Sequence, residues 1–341
     1  MLRIAINGFG RIGRAFYRAS HGEKNIEIVA VNDLTSPENL AYLLKYDTVY
    51  GRAAFQVSSK QKAEGGGSLI IDGREIPVYS EKDPSKLPWK NMQVDIVIES
   101  TGFFTSGEKA QAHITAGAKR VVITAPAKGD DVATVLLGAN EERFADAGAI
   151  TSNASCTTNA CSPIIGILDE AFGIERAILN TTHAYTASQG IVDGPADDDF
   201  RRGRAGAANI GPSSTGAAKA TTLAYPKLKG KFDGIAVRVP VPAGSIVDIT
   251  FVPKKATTVE EVNDALKKAA ATDRWKRVFA VSDEPLVSSD ILGQPYGAIA
   301  DLAMTRVVDG TLVKVLAWYD NEMGYAHTLV HHVLEVGKHN R

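Results

Sequence analysis

A cysteine, a histidine and a glycine-rich turn are the residues of this chain whose types and spacing can do chemistry. The run SNASCTTNACSP, residues 152–163, puts Cys156 immediately before a stretch that reads as a helix. Unpaired backbone N–H groups at a helix start stabilise a thiolate, so the spacing predicts a lowered thiol pKa. The same donors can meet an oxyanion formed at a substrate carbonyl. His183 follows the strand-like residues 177–182 and is a candidate base for that thiol if the two meet across a cleft. The rival readings are an inert buried thiol and a structural imidazole. Cys161, farther along the same helix, reads as a core residue, and His331 and His332 read as structural or solvent-facing.

A second chemistry opens the chain. Residues 3–7, RIAIN, form a short apolar strand, followed by Gly8-Phe9-Gly10-Arg11-Ile12-Gly13 and a helix-like stretch to about Ser20. In such a strand–turn–helix Gly8 permits the tight turn, Gly10 the close approach of a pyrophosphate, and Gly13 the packing of helix on sheet. Arg11 adds positive charge where the helix start already favours phosphate. A second apolar segment, 26–31, leads to Asp33, 20 residues beyond Gly13. A carboxylate there can accept bonds from adenosine ribose hydroxyls and repel a 2′-phosphate, which favours NAD over NADP. Thr101, Gly102 and Phe103 follow a further strand end and could line the same crevice, with core packing the alternative for Phe103.

A third group suits anions. Ser213, Ser214, Thr215 and Gly216 sit in PSSTGAAKA, Arg238 ends the run GIAVRV, and Thr186 starts a long irregular stretch. Hydroxyls, backbone donors and a guanidinium fit phosphate oxygens if the fold brings them together. Residues 186–204 read as an ordered loop, with Ile191, Val192 and Phe200 as its expected anchors. Asp197-Asp198-Asp199 against Arg201-Arg202 reads as a solvated charged face or a subunit contact.

The elements that must position these groups follow from composition and periodicity. The chain has 341 residues, 44% hydrophobic and 23% charged, enough for two domains. Its 38 basic and 39 acidic residues leave a net charge of -1, so no bulk field implies a nucleic-acid or membrane partner. Two cysteines are too few for a disulfide framework or a four-ligand zinc site, and no metal is called for. With no signal-peptide core and no run of 18 apolar residues, the expectation is a cytoplasmic protein. Strand candidates at 94–99, 120–124 and 135–137, with a helix over 106–116, predict a Rossmann-type parallel sheet. Residues 60–68, polar and glycine-rich, read as a hairpin or surface excursion. Strand candidates at 235–241, 246–252, 298–301, 305–308 and 312–319, with helices over 259–271 and 322–337, predict an α+β domain. Its sheet is expected to be mixed and largely antiparallel.

Taken together, NGFGRIGR at 7–14, SNASCTTN at 152–159, HAYT at 183–186, the run RRGRAGAANIGPSSTGAAKA ending at 220, and WYDNEMGY at 318–325 resemble the glyceraldehyde-3-phosphate dehydrogenase family over essentially the full length. The resemblance implies an NAD-binding domain over 1–155, completed by a C-terminal helix at 321–341, and a catalytic domain over 156–320. It implies Cys156 as nucleophile and His183 as its base and activator. It places the cofactor at Gly8, Phe9, Gly10, Arg11, Ile12, Asp33, Thr101 and Asn321. It places the substrate phosphate at Thr186 and Arg238 with Arg204 contributing, and attacking inorganic phosphate at Ser155, Thr157, Thr215 and Gly216. The implied reaction is phosphorylating oxidation of glyceraldehyde 3-phosphate with NAD, through a thiohemiacetal and a thioester, by a homotetramer. Two departures stand out: Ala160 where the family commonly has a second cysteine, and Gly194-Pro195 where NAD-preferring relatives commonly have Leu-Pro. The rivals are an NADP-using or erythrose-4-phosphate-oxidising relative and a redox-sensing protein that keeps the cofactor fold.

Overall fold

The computed structural model describes residues 1–61, 66–196 and 199–339. The chain divides into two compact units: Met1–Val135 with Glu141–Ala154 and the chain from Leu329 on, and Leu136–Asn140 with Ser155–Thr328. Residues 321–328 thus group with the second unit.

The first unit is built on a nine-stranded sheet. Its strands are β1 (Leu2–Asn7), β2 (Ile26–Asn32), β5 (Val57–Gln61), β6 (Gly67–Ile71), β7 (Arg74–Tyr79), β8 (Ile96–Glu99), β9 (Arg120–Ile123), β10 (Ala133–Thr134) and β11 (Ile150–Ser152), while β3 (Tyr46–Asp47) and β4 (Gly51–Arg52) form a small separate ribbon. The order β10-β11-β9-β8-β1-β2-β7 is parallel throughout, and β6 and β5 add an antiparallel edge. Consecutive residues Ile4, Ala5, Ile6 and Ile96, Val97, Ile98 are all fully buried, so both faces of the sheet centre are covered. This explains why these strands read as continuous apolar runs without alternation. Helix α1 (Arg11–Ser20) follows β1, α2 (Pro37–Lys45) is capped by Ser36, and α3 (Gly107–Thr115) is capped by Ser106, whose Oγ accepts from the Lys109 N–H. The expected excursion at 60–68 is the β5–β6 hairpin, and its residues 62–65 lie outside the described ones.

One expected strand is absent. Val135, Leu136 and Leu137 are buried, but the ladder uses Ala133 and Thr134 instead. Leu136 N–H turns to the Asn140 side chain at 2.7 Å, ending the pairing. A short apolar run signals burial without specifying a strand.

The second unit carries a seven-stranded sheet of β12 (Ile174–Ala184), β13 (Gly211–Ser214), β14 (Phe232–Val239), β15 (Ser245–Pro253), β16 (Phe279–Ser282), β17 (Ala298–Val308) and β18 (Leu312–Tyr319), in the order β13-β14-β12-β15-β18-β17-β16. Four of its six pairings are antiparallel, giving the mixed, largely antiparallel sheet expected. The two segments expected at 298–301 and 305–308 are one strand whose register shifts between Asp301 and Arg306. Strict alternation of burial along β15 shows a sheet with one covered face. The cover is α4 (Cys156–Phe172), which packs on β15, β17 and β18 and against α5 (Ala217–Ala224) and α6 (Val259–Ala270). Residues 157–169 of α4 are buried all round, Cys161 and Ala160 completely. Helix α7 (Met323–Lys338) ends the chain; its His332 is fully buried and shares a hydrogen bond with the Thr151 hydroxyl at 2.9 Å.

The long loop corrects a second expectation. Ile191 is 89% exposed, Phe200 84%, and Val192 is also exposed, so none anchors the loop to its own unit. Backbone bonds instead tie the two limbs of the loop to each other: Gly194 N–H to Gly203 C=O at 2.8 Å and Gly206 N–H to Gly190 C=O at 3.0 Å. Asp197 and Asp198 of the expected charged face lie outside the described residues; Asp199 caps a short 3-10 helix, Phe200–Gly203.

Candidate active site

Two sites emerge, one in each unit. The first is a crevice of about 530 Å³ at the C-terminal ends of β1, β2 and β8, lined among others by Gly8, Gly10, Asp33 and Thr101. Its shape follows from the glycines. Gly8 has φ +90°, and a Cβ there would come within 2.7 Å of the Thr101 nitrogen. A Cβ on Gly13 would overlap the Gly8 carbonyl oxygen, whereas one on Gly10 would meet nothing within 4 Å. Gly13 therefore lets α1 pack against the turn, and Gly10 leaves the crevice open. No side chain caps the start of α1, and the positive end of a helix favours an anion.

Asp33 is held by the Phe9 N–H at 2.7 Å and the Thr35 N–H at 2.9 Å. The Phe9 side chain itself is fully buried, and Ile12 is half-buried. The Arg11 guanidinium lies on Asp47 at 2.7 Å and over the Tyr50 ring. Gly102 has φ +79° in an exposed turn, and Phe103, 76% exposed, belongs to the crevice lining rather than the core. An open glycine turn, an uncapped helix start and a pinned carboxylate fit a dinucleotide. The lining also includes Asn7, Asn32 and Ser100, which sequence reasoning did not single out. Their signal was position alone, at the carboxyl ends of parallel strands.

The second site is assembled by strand register and a helix cap. Ser155 Oγ accepts from the Thr158 N–H at 3.1 Å, which starts α4 at Cys156. β12 runs parallel to β14 with His183 opposite Arg238, so the two side chains share a face. Cys156 Sγ lies 3.4 Å from His183 Nε2. On the other side of the ring, Nδ1 is 2.6 Å from the Arg238 Nη1 and 2.6 Å from the Ala184 carbonyl oxygen. If Nδ1 accepts from Arg238, Nε2 carries the proton and donates toward sulfur. If Nδ1 donates to Ala184, Nε2 offers its lone pair to the thiol.

Burial decides the charge state of this pair. It pushes the His183 imidazole down to about 3, with the Arg238 guanidinium adding to the fall and the Ala184 bond opposing it. Enclosure also raises the Cys156 thiol above its ordinary value, more than Arg238 and the Thr157 bonds lower it. The expected lowering by the helix start is therefore overridden, because desolvation outweighs it.

Three further residues hold the pair in place. The Tyr319 hydroxyl bonds Thr157 Oγ1 at 2.9 Å and Thr181 Oγ1 at 2.7 Å, and its ring meets His183 edge-on. Asn321 Oδ1 accepts from the Gly244 N–H at 3.1 Å and Ser245 Oγ at 2.9 Å, which fixes the amide with Nδ2 left as a donor. Ser245 Oγ in turn accepts from the Ala184 N–H at 3.1 Å. The sequence assigns neither a role: Tyr319 falls in the run 318–325, and Ser245 immediately precedes the strand candidate at 246–252.

Of the anion group, Arg238 stands beside His183, and β13 lies antiparallel to β14 with Gly211 opposite Arg238. Arg202, which the sequence did not single out for this role, donates to Ser213 Oγ at 3.1 and 3.3 Å. Its charge adds to the burial that lowers the Arg238 pKa, a conflict that a bound anion would relieve. Arg204 instead pairs with Asp193 at 2.7 Å. The Thr186 hydroxyl shares a bond with Ser188 at 2.9 Å, and Thr215 Oγ1 accepts from the Ala217 N–H at 3.2 Å beside Gly216, which starts α5 without a side-chain cap. Among the described residues no group of three or more His, Cys, Asp or Glu could hold a metal ion, and no helix is long and apolar enough to cross a membrane.

A parallel sheet with a dinucleotide crevice, joined in one chain to a mixed sheet bearing a cysteine–histidine pair, defines a dinucleotide-dependent oxidoreductase. Comparison with known proteins agrees. The NAD binding domain of glyceraldehyde 3-phosphate dehydrogenase matches residues 2–107, and the C-terminal domain of the same enzyme matches residues 155–321. Proteins named glyceraldehyde-3-phosphate dehydrogenase from Thermotoga maritima, Geobacillus stearothermophilus and Mycobacterium avium are 53%, 49% and 48% identical to this chain. These similarities cover 97%, 96% and 99% of the chain and the same shares of the relatives. The chain belongs to the glyceraldehyde-3-phosphate dehydrogenase family, and NAD is its cofactor.

Proposed function

We propose that the protein oxidises D-glyceraldehyde 3-phosphate to 1,3-bisphosphoglycerate, using inorganic phosphate and NAD, as a cytoplasmic enzyme of glycolysis and gluconeogenesis. The observation that carries this reading is the 3.4 Å approach of Cys156 Sγ to His183 Nε2, with Arg238 against the same imidazole. His183 takes the thiol proton as Sγ adds to the aldehyde carbon and returns it to the new alkoxide, giving a thiohemiacetal on Cys156 and a neutral imidazole. Arg238 and Thr186 hold the substrate phosphate, with Arg204 the third group at that subsite. Bound NAD supplies the hydride acceptor. His183 removes the hydroxyl proton as the carbon is oxidised, leaving a thioester on Cys156. Inorganic phosphate, held by Ser155, Thr157, Thr215 and Gly216, attacks the acyl carbon, and Cys156 departs as thiolate. Backbone N–H groups at Cys156 and His183 meet the oxyanion in both halves.

For the cofactor, Gly8, Gly10, Arg11, Ile12 and Gly13 form the pyrophosphate turn with the Phe9 backbone, Asp33 takes the adenosine ribose, and Thr101, Gly102 and Asn321 complete the contacts. The working form is proposed to be a homotetramer, a reading supported by the exposed apolar side chains of Ile191, Val192, Phe200 and Ile210.

The test is nicotinamide reduction followed by absorbance with the aldehyde, with and without inorganic phosphate. Sustained turnover only with phosphate, and a single stoichiometric burst without it, is the expected result. Turnover independent of phosphate would refute the thioester scheme.

A further inference from the structure

Behind the dinucleotide crevice lies a buried acid that none of these assignments uses. Glu99, at the carboxyl end of β8, has no exposed side-chain surface. Its Oε2 accepts from Asn7 Nδ2 at 2.6 Å and faces His113 Nε2 at 3.0 Å. Its Oε1 accepts from the Thr101 N–H at 2.9 Å and from the Thr101 hydroxyl. Both oxygens are thus fully used as acceptors.

The donors around it have no freedom to reverse. His113, fully buried on α3, accepts at Nδ1 from the Trp89 indole N–H at 3.1 Å. An indole nitrogen only donates, so the ring proton of His113 sits on Nε2 and points at Glu99. At the other end, Asn32 Oδ1 accepts from the Glu81 backbone N–H at 2.9 Å, which fixes the Asn32 amide. Asn32 Nδ2 then donates to Asn7 Oδ1 at 2.7 Å, which turns Asn7 Nδ2 toward Glu99. The chain Trp89–His113–Glu99–Asn7–Asn32 is anchored at both ends by groups that can only donate. It closes only if residue 99 accepts at both oxygens. Asn7, Asn32 and Thr101 at the same time line the crevice.

We propose that Glu99 is a positioning residue of the dinucleotide site. Its acceptor-only carboxylate, held in turn by the Trp89–His113 pair, sets the orientation of the Asn7 amide and the Thr101 hydroxyl before NAD arrives. The crevice floor is thereby ordered in the free protein, and binding requires no rearrangement of it. The inference rests on the assignment of this crevice to NAD. The glutamine isostere cannot replace Glu99. Turned one way, its NH2 opposes Asn7 Nδ2 and His113 Nε2–H; turned the other, it opposes the Thr101 N–H. Either orientation buries a donor against a donor.

The experiment is calorimetric titration of the full-length protein with NAD alone, comparing wild type, E99Q, W89F and G10V. E99Q is expected to weaken NAD binding by about tenfold or more, the scale of one unsatisfied buried polar group. W89F removes the donor that fixes the His113 tautomer, from a residue that does not line the crevice. It is expected to weaken binding in the same direction by about two- to fivefold, a fraction of that scale. Nitrogen-15 spectra should show His113 as the Nε2–H tautomer in wild type and a tautomer mixture in W89F. The iodoacetamide reactivity of Cys156 in the NAD-free protein should be unchanged in both. Should E99Q fail to fold, W89F and the tautomer spectra carry the test. G10V, whose side chain enters open crevice space, separates the premise from the proposal. Loss of NAD binding in G10V with wild-type affinity in E99Q and W89F would overturn the role of Glu99. Wild-type affinity in G10V would instead overturn the crevice assignment and this proposal with it.

Discussion

Replacing His183 by asparagine removes one atom that matters and leaves most of its surroundings intact. The shorter amide keeps a polar atom on the side facing Arg238 and the Ala184 carbonyl, where the imidazole Nδ1 now stands at 2.6 Å from each. It has nothing to place at Nε2, the atom 3.4 Å from Cys156 Sγ. The thiol proton and the thiohemiacetal proton then both lose their acceptor. A positioned base contributes about 10²- to 10⁴-fold, so kcat should fall by that factor, equivalent to about 3–5 kcal/mol of barrier. Arg238 stays in place, so KM for the phosphorylated aldehyde should change by less than about threefold. The assay is stopped-flow NADH formation, which separates the acylation burst from steady turnover. In H183N the burst itself should slow, because both lost proton transfers precede the thioester. A burst at the wild-type rate followed by slow turnover would show that His183 serves only deacylation. Wild-type kcat would remove it from the mechanism altogether.

Burial of two histidines also makes stability depend on pH. His183 and His332 are both pushed down to about 3, so below the ordinary histidine value near 6.5 the unfolded chain binds protons that the folded one does not. Their contribution is complete above that value and is lost progressively as pH falls toward 3, by about 1.4 kcal/mol per pH unit for each group. The thermal midpoint of H332F should accordingly fall less steeply than that of wild type between pH 6.5 and 4; parallel curves would show that His332 does not titrate differently in the two states. Replacing Asp33 by serine removes the carboxylate that repels a 2′-phosphate, so the NADP/NAD ratio of kcat/KM should rise by about tenfold or more, on the scale of one charged contact. An unchanged ratio would move cofactor choice elsewhere, for instance to Gly194, where a Cβ meets nothing within 4 Å. F200D puts a charge on an 84%-exposed aromatic. If that surface is covered in a tetramer, sedimentation should show smaller species; wild-type mass would assign the exposed ring no part in assembly.

What the sequence made legible was local, and what it hid was not. The cap at Ser155 joins residues three apart, and the glycine turn spans a single strand–helix junction, so residue type and spacing determined both. The Cys156–His183 pair could be nominated but not measured, because its 3.4 Å separation depends on where α4 lies against β12. The bond from Arg202 to Ser213 is not legible in the sequence because only the 3-10 turn decides which guanidinium faces Ser213 and which faces Asp193. Ile191, Val192 and Phe200 are exposed where the sequence leads one to expect anchors, because an apolar side chain in a loop does not by itself specify burial within its own chain. The thiol pKa went the wrong way for a related reason. A helix start is visible in the sequence, whereas the desolvation that outweighs it comes from the whole fold. Glu99 is the extreme case: its bond to Asn7 spans 92 positions and its bond to His113 spans 14. In sequence it is an acid ending an apolar strand, indistinguishable from one that faces water. Only the closed set of donors around it requires a carboxylate there, which is why a substitution as mild as glutamine is the sharpest probe of that site.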